Sequence, residues 1–292
     1  MTDITYRPRR SCLYMPASND RALEKAKSLK ADTIIFDLED AVAPDAKEAA
    51  REKAVQALIS GEYGDRELVV RVNGTDTPWF SDDLKAVCNA KADAVLVPKI
   101  LNAEDIIQII DSMDDGNANL QTRLWVMIEM PLAILNLAEI AALGGQKRLT
   151  SFVMGFNDLA KEMKAEHVRS NFGSVMTQAV IAARAHGLNI IDSVYNDFSD
   201  PEGLEQQCNE ARKLGFDGKT LIHPSQIDIA NNAFAPDEQE IAESRTIIEA
   251  FDDPINAGKG VIVVDGKMTE LLHLEQAKQT VAIAEAIAAR ER

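Results

Sequence analysis

Cysteine is scarce in this sequence: three in 292 residues (Cys12, Cys88 and Cys208), an odd number with no CxxC spacing. That argues against a disulfide framework or a structural zinc site and predicts a reducing compartment, the cytoplasm. Positive charge is in deficit too, with 31 Lys and Arg against 47 Asp and Glu and a net charge of −16. Such a chain is a poor partner for nucleic acid or an anionic membrane, although bases gathered at one spot could still hold a polyanion. No apolar run approaches the ~20 residues of a membrane span. The polar start, with Arg7, Arg9 and Arg10, is not followed by the apolar stretch of a signal peptide. GxSxG, P-loop and GxGxxG elements are missing, so serine-hydrolase and dinucleotide-binding readings lack support.

What is present is a rhythm. Eight short apolar runs, at 11–15, 33–38, 68–72, 94–98, 124–128, 151–155, 189–194 and 218–222, have the composition of strands covered on both faces. Between them lie helical stretches at 20–30, 45–59, 80–90, 103–113, 131–142, 172–186 and 202–214, with Gly187 and Gly215 where helices should stop. This alternation predicts an α/β fold, a (β/α)8 TIM barrel before a doubly wound sheet, over residues 1–235. A C-terminal helical arm is expected at 236–292, with a helix over 237–251, a Gly-rich hinge at 257–260, an apolar run at 261–264 and a final helix over 269–290.

A barrel carries its chemistry at the C-terminal ends of its strands. There this sequence places Asp37, Glu39 and Asp40, then Arg71 and Asn73, Lys99, Glu129, Asn157 and Asp158, Asp192, and His223. Glu129 and Asp158 follow neighbouring strands and can converge as hard oxygen ligands of Mg²⁺, with positions left for substrate and water. The structural alternatives are that Asp158 caps a helix and Glu129 pairs with a lysine. Arg71 offers a planar fork to a carboxylate; its alternative is an ion pair with Asp37 or Glu39. His167, His186 and His273 fall in helical or loop contexts, and His223 fits a hydrogen-bonding support better than a base.

Seven ordered motifs carry a resemblance: 11–18 (SCLYMPAS), 36–42 (FDLEDAV), 70–74 (VRVNG), 97–99 (VPK), 127–129 (MIE), 155–160 (GFNDLA) and 218–224 (GKTLIHP). Together they resemble the citrate lyase β-subunit-like branch of the HpcH/HpaI aldolase superfamily, and most closely its malyl-CoA lyase and malyl-CoA thioesterase group. The resemblance implies a Mg²⁺-dependent barrel (Mn²⁺ as a substitute) acting on a short 3-hydroxyacyl-CoA, as a homotrimer or homohexamer. The activity is either retro-Claisen cleavage to a 2-oxoacid and acetyl-CoA, or hydrolysis to malate and CoA. By position, Glu129 and Asp158 would bind the metal and Arg71 the oxoacid carboxylate. Tyr14, Arg21 and Lys25 would contact CoA, within a basic cluster with Arg9, Arg10 and Lys27. Glu270, on an arm that covers a neighbouring subunit's site in relatives, and Glu39 complete the catalytic candidates with Arg71. Two departures stand out: Glu270 where many members have Asp, and Met130-Pro131 where Thr-Ala commonly follows the metal Glu, which would set a thioether near the metal. An aldolase of free 2-oxoacids and a non-catalytic citrate lyase β-like subunit are the competing readings.

Overall fold

The computed structural model describes residues 6–115, 121–145 and 148–290. Its contacts divide the chain into two units: Arg9–Ala233, and a second unit whose described residues are 6–8 and 234–290.

In the first unit all eight expected runs are strands: β1 (Ser11–Pro16), β2 (Thr33–Asp37), β3 (Glu67–Arg71), β4 (Ala94–Val97), β5 (Arg123–Ile128), β6 (Leu149–Met154), β7 (Asn189–Asp192) and β8 (Gly218–Leu221). Each pairs in parallel with the next and β8 pairs back to β1, so the sheet closes into a barrel. Side chains alternate between its two faces. Cys12, Ile35, Val69, Ala94, Leu96, Trp125, Met127, Val153 and Ile191 fill the interior, a packed core and not a pore.

The connecting helices follow the expected order with local adjustments. Asn19, one residue ahead of the predicted start, caps the helix Asp20–Ala26. The helix Pro201–Leu214 opens on Asp200 and Pro201 and stops at Gly215, whose φ of +102° makes the left-handed cap. The stretch read as one helix over 131–142 is two short ones, Pro131–Leu135 and Leu137–Ala141, broken at Asn136.

In the second unit, capping-box residues Asp237 and Glu240 open the helix Glu238–Asp252, which packs along the helix Leu271–Arg290. The expected apolar run is β9 (Val261–Val264). Its partner β10 (Lys267–Glu270) corrects the reading that began the last helix at 269: Asp265-Gly266, both with positive φ, turn the chain into a hairpin first.

Candidate active site

Inward alternation on the barrel strands brings Tyr14, Asp37, Arg71, Met127, Glu129, Gly155, Ser193 and Thr220 to one cavity at the C-terminal ends of the strands. Its volume is about 390 Å³, and Asp158, Asn157 and Asn196 stand at its mouth.

Glu129 follows β5 and is 1% exposed. One donor reaches it, the Lys99 backbone N–H at 2.8 Å from Oε1; Oε2 carries no hydrogen bond among the described residues. Oε2 lies over Gly155, where an ideal Cβ would come within 2.4 Å of it, so the carboxylate occupies space only glycine leaves open. Asp158 sits in the first turn of the helix Phe156–Met163, held at its start by the Phe156 N–H to Ser193 Oγ (3.0 Å). It does not cap that helix: Gly155 occupies the cap and no side chain bonds there. Nor does Glu129 pair with a lysine ammonium among the described residues. Burial, and then the negative charge of Asp158, push the Glu129 carboxyl up to about 8.

These two acids fit a divalent cation. No group of three or more His, Cys, Asp or Glu side chains makes a complete metal cage among the described residues. A pair of carboxylates, one buried with an oxygen unbonded, leaves the remaining positions to water and substrate, as Mg²⁺ prefers.

Arg71, at the end of β3, lines the same cavity. Its Nε and Nη2 donate to Asp37 Oδ1 and Oδ2, both at 2.7 Å, and Nη1 lies 3.0 Å from Glu39 Oε2. Its guanidinium stacks 4.8 Å from the Tyr14 ring centre. The ion pairs named as its alternative thus exist, and Arg71 still lines the cavity. The guanidinium beside Asp37 holds that carboxyl below the usual range against its burial. Glu39 is raised by its burial, although Arg71 and Lys99 pull the other way. It bonds Arg71 through one oxygen and Lys99 Nζ (2.7 Å) through the other, and is not part of the cavity wall.

The expected CoA segment is split by the structure. Tyr14 faces the cavity beneath Arg71, whereas Arg21 and Lys25 are exposed on the helix after β1, their charged heads without a bond among the described residues. The wider basic cluster does not form. Arg9 forks onto Glu67 (2.6 and 2.7 Å) and Arg10 onto Asp32 (2.9 and 3.1 Å) at the start of β1. That is the opposite end of a strand that rises ~3.3 Å per residue. Lys27 is bound to Glu24 and Glu62.

Met130 is a second correction. It caps the helix that Pro131 opens and does not line the cavity, whose thioethers are Met127 and Met154. The two-residue step from Trp125 to Met127 to Glu129 was the available signal. His223 caps the turn Pro224–Gln226 through Nδ1 and stacks on Phe198 (4.9 Å). Glu270 belongs to the second unit, opposite Val261 in the hairpin, and its backbone N–H donates to His273 Nδ1 (2.9 Å).

A closed barrel with acids and a clamped arginine at its mouth defines the class: an α/β-barrel enzyme for small anionic substrates. More particularly, the chain belongs to the HpcH/HpaI aldolase/citrate lyase family, whose profile matches residues 10–224. It is 49% identical to a (3S)-malyl-CoA thioesterase of Cereibacter sphaeroides over 284 residues, 97% of this chain and 96% of that protein. With the citrate lyase subunit beta of Escherichia coli it shares 34% identity over 292 residues, 98% and 96% of the two chains. Among solved structures, CitE of Mycobacterium tuberculosis in complex with magnesium, acetoacetate and coenzyme A matches with a TM-score of 0.74 at 26% identity, covering 94% of this chain and 97% of that one.

Proposed function

We propose that this protein is a Mg²⁺-dependent enzyme of short 3-hydroxyacyl-CoA esters that hydrolyses (3S)-malyl-CoA to malate and CoA. The observation that carries the proposal is the buried Glu129 with Asp158 and Arg71 in one cavity. Full-length similarity to a (3S)-malyl-CoA thioesterase supports the substrate.

Glu129 and Asp158 would hold the Mg²⁺ (Mn²⁺ fits the same oxygens). When bound, the ion supplies positive charge where a substrate oxygen becomes negative. Arg71 binds the free carboxylate of the acyl group. Because Asp37 takes two of its donors and Tyr14 packs against its face, the fork is fixed before substrate arrives, and little reorganisation is left for the reaction. Glu39 holds Arg71 in that pose. The cavity has room for the four-carbon acyl end, so the nucleotide extends outside, where the free charges of Arg21 and Lys25 can meet its phosphates. On the resemblance, Glu270 is the carboxylate that accepts the proton, delivered by a neighbouring copy in a homotrimer or homohexamer. Three buried thiols without a disulfide support a cytoplasmic location.

Carbon–carbon cleavage to glyoxylate and acetyl-CoA is the second reading, favoured by the similarity to citrate lyase β subunits. Purified protein with malyl-CoA and Mg²⁺ distinguishes the two: free thiol without glyoxylate means hydrolysis, and glyoxylate without thiol means cleavage. Neither product, with this or any other short 3-hydroxyacyl-CoA, refutes both.

A further inference from the structure

Lys99 holds a backbone conformation that side chains avoid. Its φ is +57°, in the left-handed region, directly after β4 and Pro98. Among the described residues the other non-glycines with positive φ are Lys91, Lys164 and Asp265, which stand at helix ends or in the hairpin turn. A glycine would hold this conformation at less cost, so the lysine side chain must contribute something there. The two halves of Lys99 reach different parts of the site. The backbone N–H donates to Glu129 Oε1 at 2.8 Å, and Nζ donates to Glu39 Oε1 at 2.7 Å. The other oxygen of Glu39 lies 3.0 Å from Arg71 Nη1. Among the described residues Lys99 alone bonds to both Glu129 and Glu39, closing the chain Glu129–Lys99–Glu39–Arg71–Asp37.

We propose that Lys99 is a positioning residue that fixes the cation carboxylate Glu129 through its backbone and the anion fork of Arg71 through its ammonium and Glu39, setting the spacing between the two charges that grip the substrate. The inference rests on the function proposed above. It divides the residue's work: left-handed backbone for the cation, ammonium for the substrate carboxylate.

Three variants test the division. Lys99→Gly keeps the left-handed backbone and the N–H but removes the ammonium. Mn²⁺ affinity, read by electron paramagnetic resonance without substrate, should stay within about twofold of wild type, while KM for malyl-CoA rises about tenfold. Lys99→Arg should bring KM back to within about threefold. Lys99→Val, whose branched Cβ disfavours positive φ, should weaken Mn²⁺ at least tenfold. If Lys99→Val does not fold, the glycine and arginine variants decide. An unchanged KM in Lys99→Gly, a Mn²⁺ loss in it of tenfold or more, or no rescue by arginine overturns the proposal. A wild type that does not turn over malyl-CoA refutes the functional reading instead, while the Mn²⁺ measurements still judge the backbone half.

Discussion

Glu129→Gln gives the most informative perturbation of the site, because its effect changes sign with the metal. In the metal-free protein Glu129 is buried and faces Asp158, which together push its carboxyl from the ordinary 4.5 up to about 8. The folded state therefore holds a proton that the unfolded chain has released. Stability from this group is full below pH 4.5 and is lost as pH rises to about 8. The interval from 4.5 to about 8, at ~1.4 kcal/mol for each tenfold change in proton affinity, sets a ceiling of about 5 kcal/mol. Local relaxation and water entry reduce it by half or so, to about 2–3 kcal/mol. The amide of glutamine stays neutral, so at pH 8 without metal the variant should unfold at a Tm higher by roughly 5 °C than wild type. At pH 5 the two should differ little. Added Mg²⁺ should reverse the order at pH 8, stabilising wild type by displacing that proton and leaving the variant unmoved. Scanning calorimetry from pH 5 to 9, with chelator and with Mg²⁺, measures all of this. Parallel pH profiles for the two proteins, or equal stabilisation of both by Mg²⁺, would refute the reasoning.

Gly155→Ala should push the Glu129 carboxylate out of place, because the new Cβ would approach Oε2 to 2.4 Å; Mn²⁺ titration should show at least tenfold weaker binding, and unchanged affinity counts against the placement. Arg71→Lys keeps the charge but loses the fork on Asp37, so steady-state kinetics should show kcat/KM for malyl-CoA down about 100-fold, ~3 kcal/mol; a loss below threefold contradicts the assigned role. Arg21→Ala with Lys25→Ala should raise KM for the CoA ester about tenfold and leave kcat near wild type, as lost exposed phosphate contacts do; an equal fall in kcat would place these residues elsewhere in the reaction.

Much of this geometry could be read from the chain because strand alternation does the placing. Asp37, Arg71 and Glu129 stand at or just past the ends of buried apolar runs, in phase with inward residues two positions back (Ile35, Val69 and Met127), and so they line the mouth. What the sequence hid involves steps that alternation does not govern. Arg9 and Arg10 lie within five positions of Tyr14 yet belong to the far end of β1, because proximity along an extended strand is distance in space. Met130 follows Glu129 directly, but β5 ends at Ile128 and the chain turns into a helix. The short strand Lys267–Glu270 has little β propensity, and its hairpin rests on Asp265-Gly266 and on pairing with β9. The positive φ of Lys99 had no composition signal, since glycine or asparagine is the usual mark of that conformation.

Crystals grown with Mn²⁺ and examined at the manganese absorption edge test the central claim most directly. One anomalous peak at about 2.1–2.3 Å from oxygens of both Glu129 and Asp158, inside the cavity that Arg71 lines, is the predicted result. Full occupancy of an ion elsewhere, with these two carboxylates unliganded at pH 8, would contradict the account.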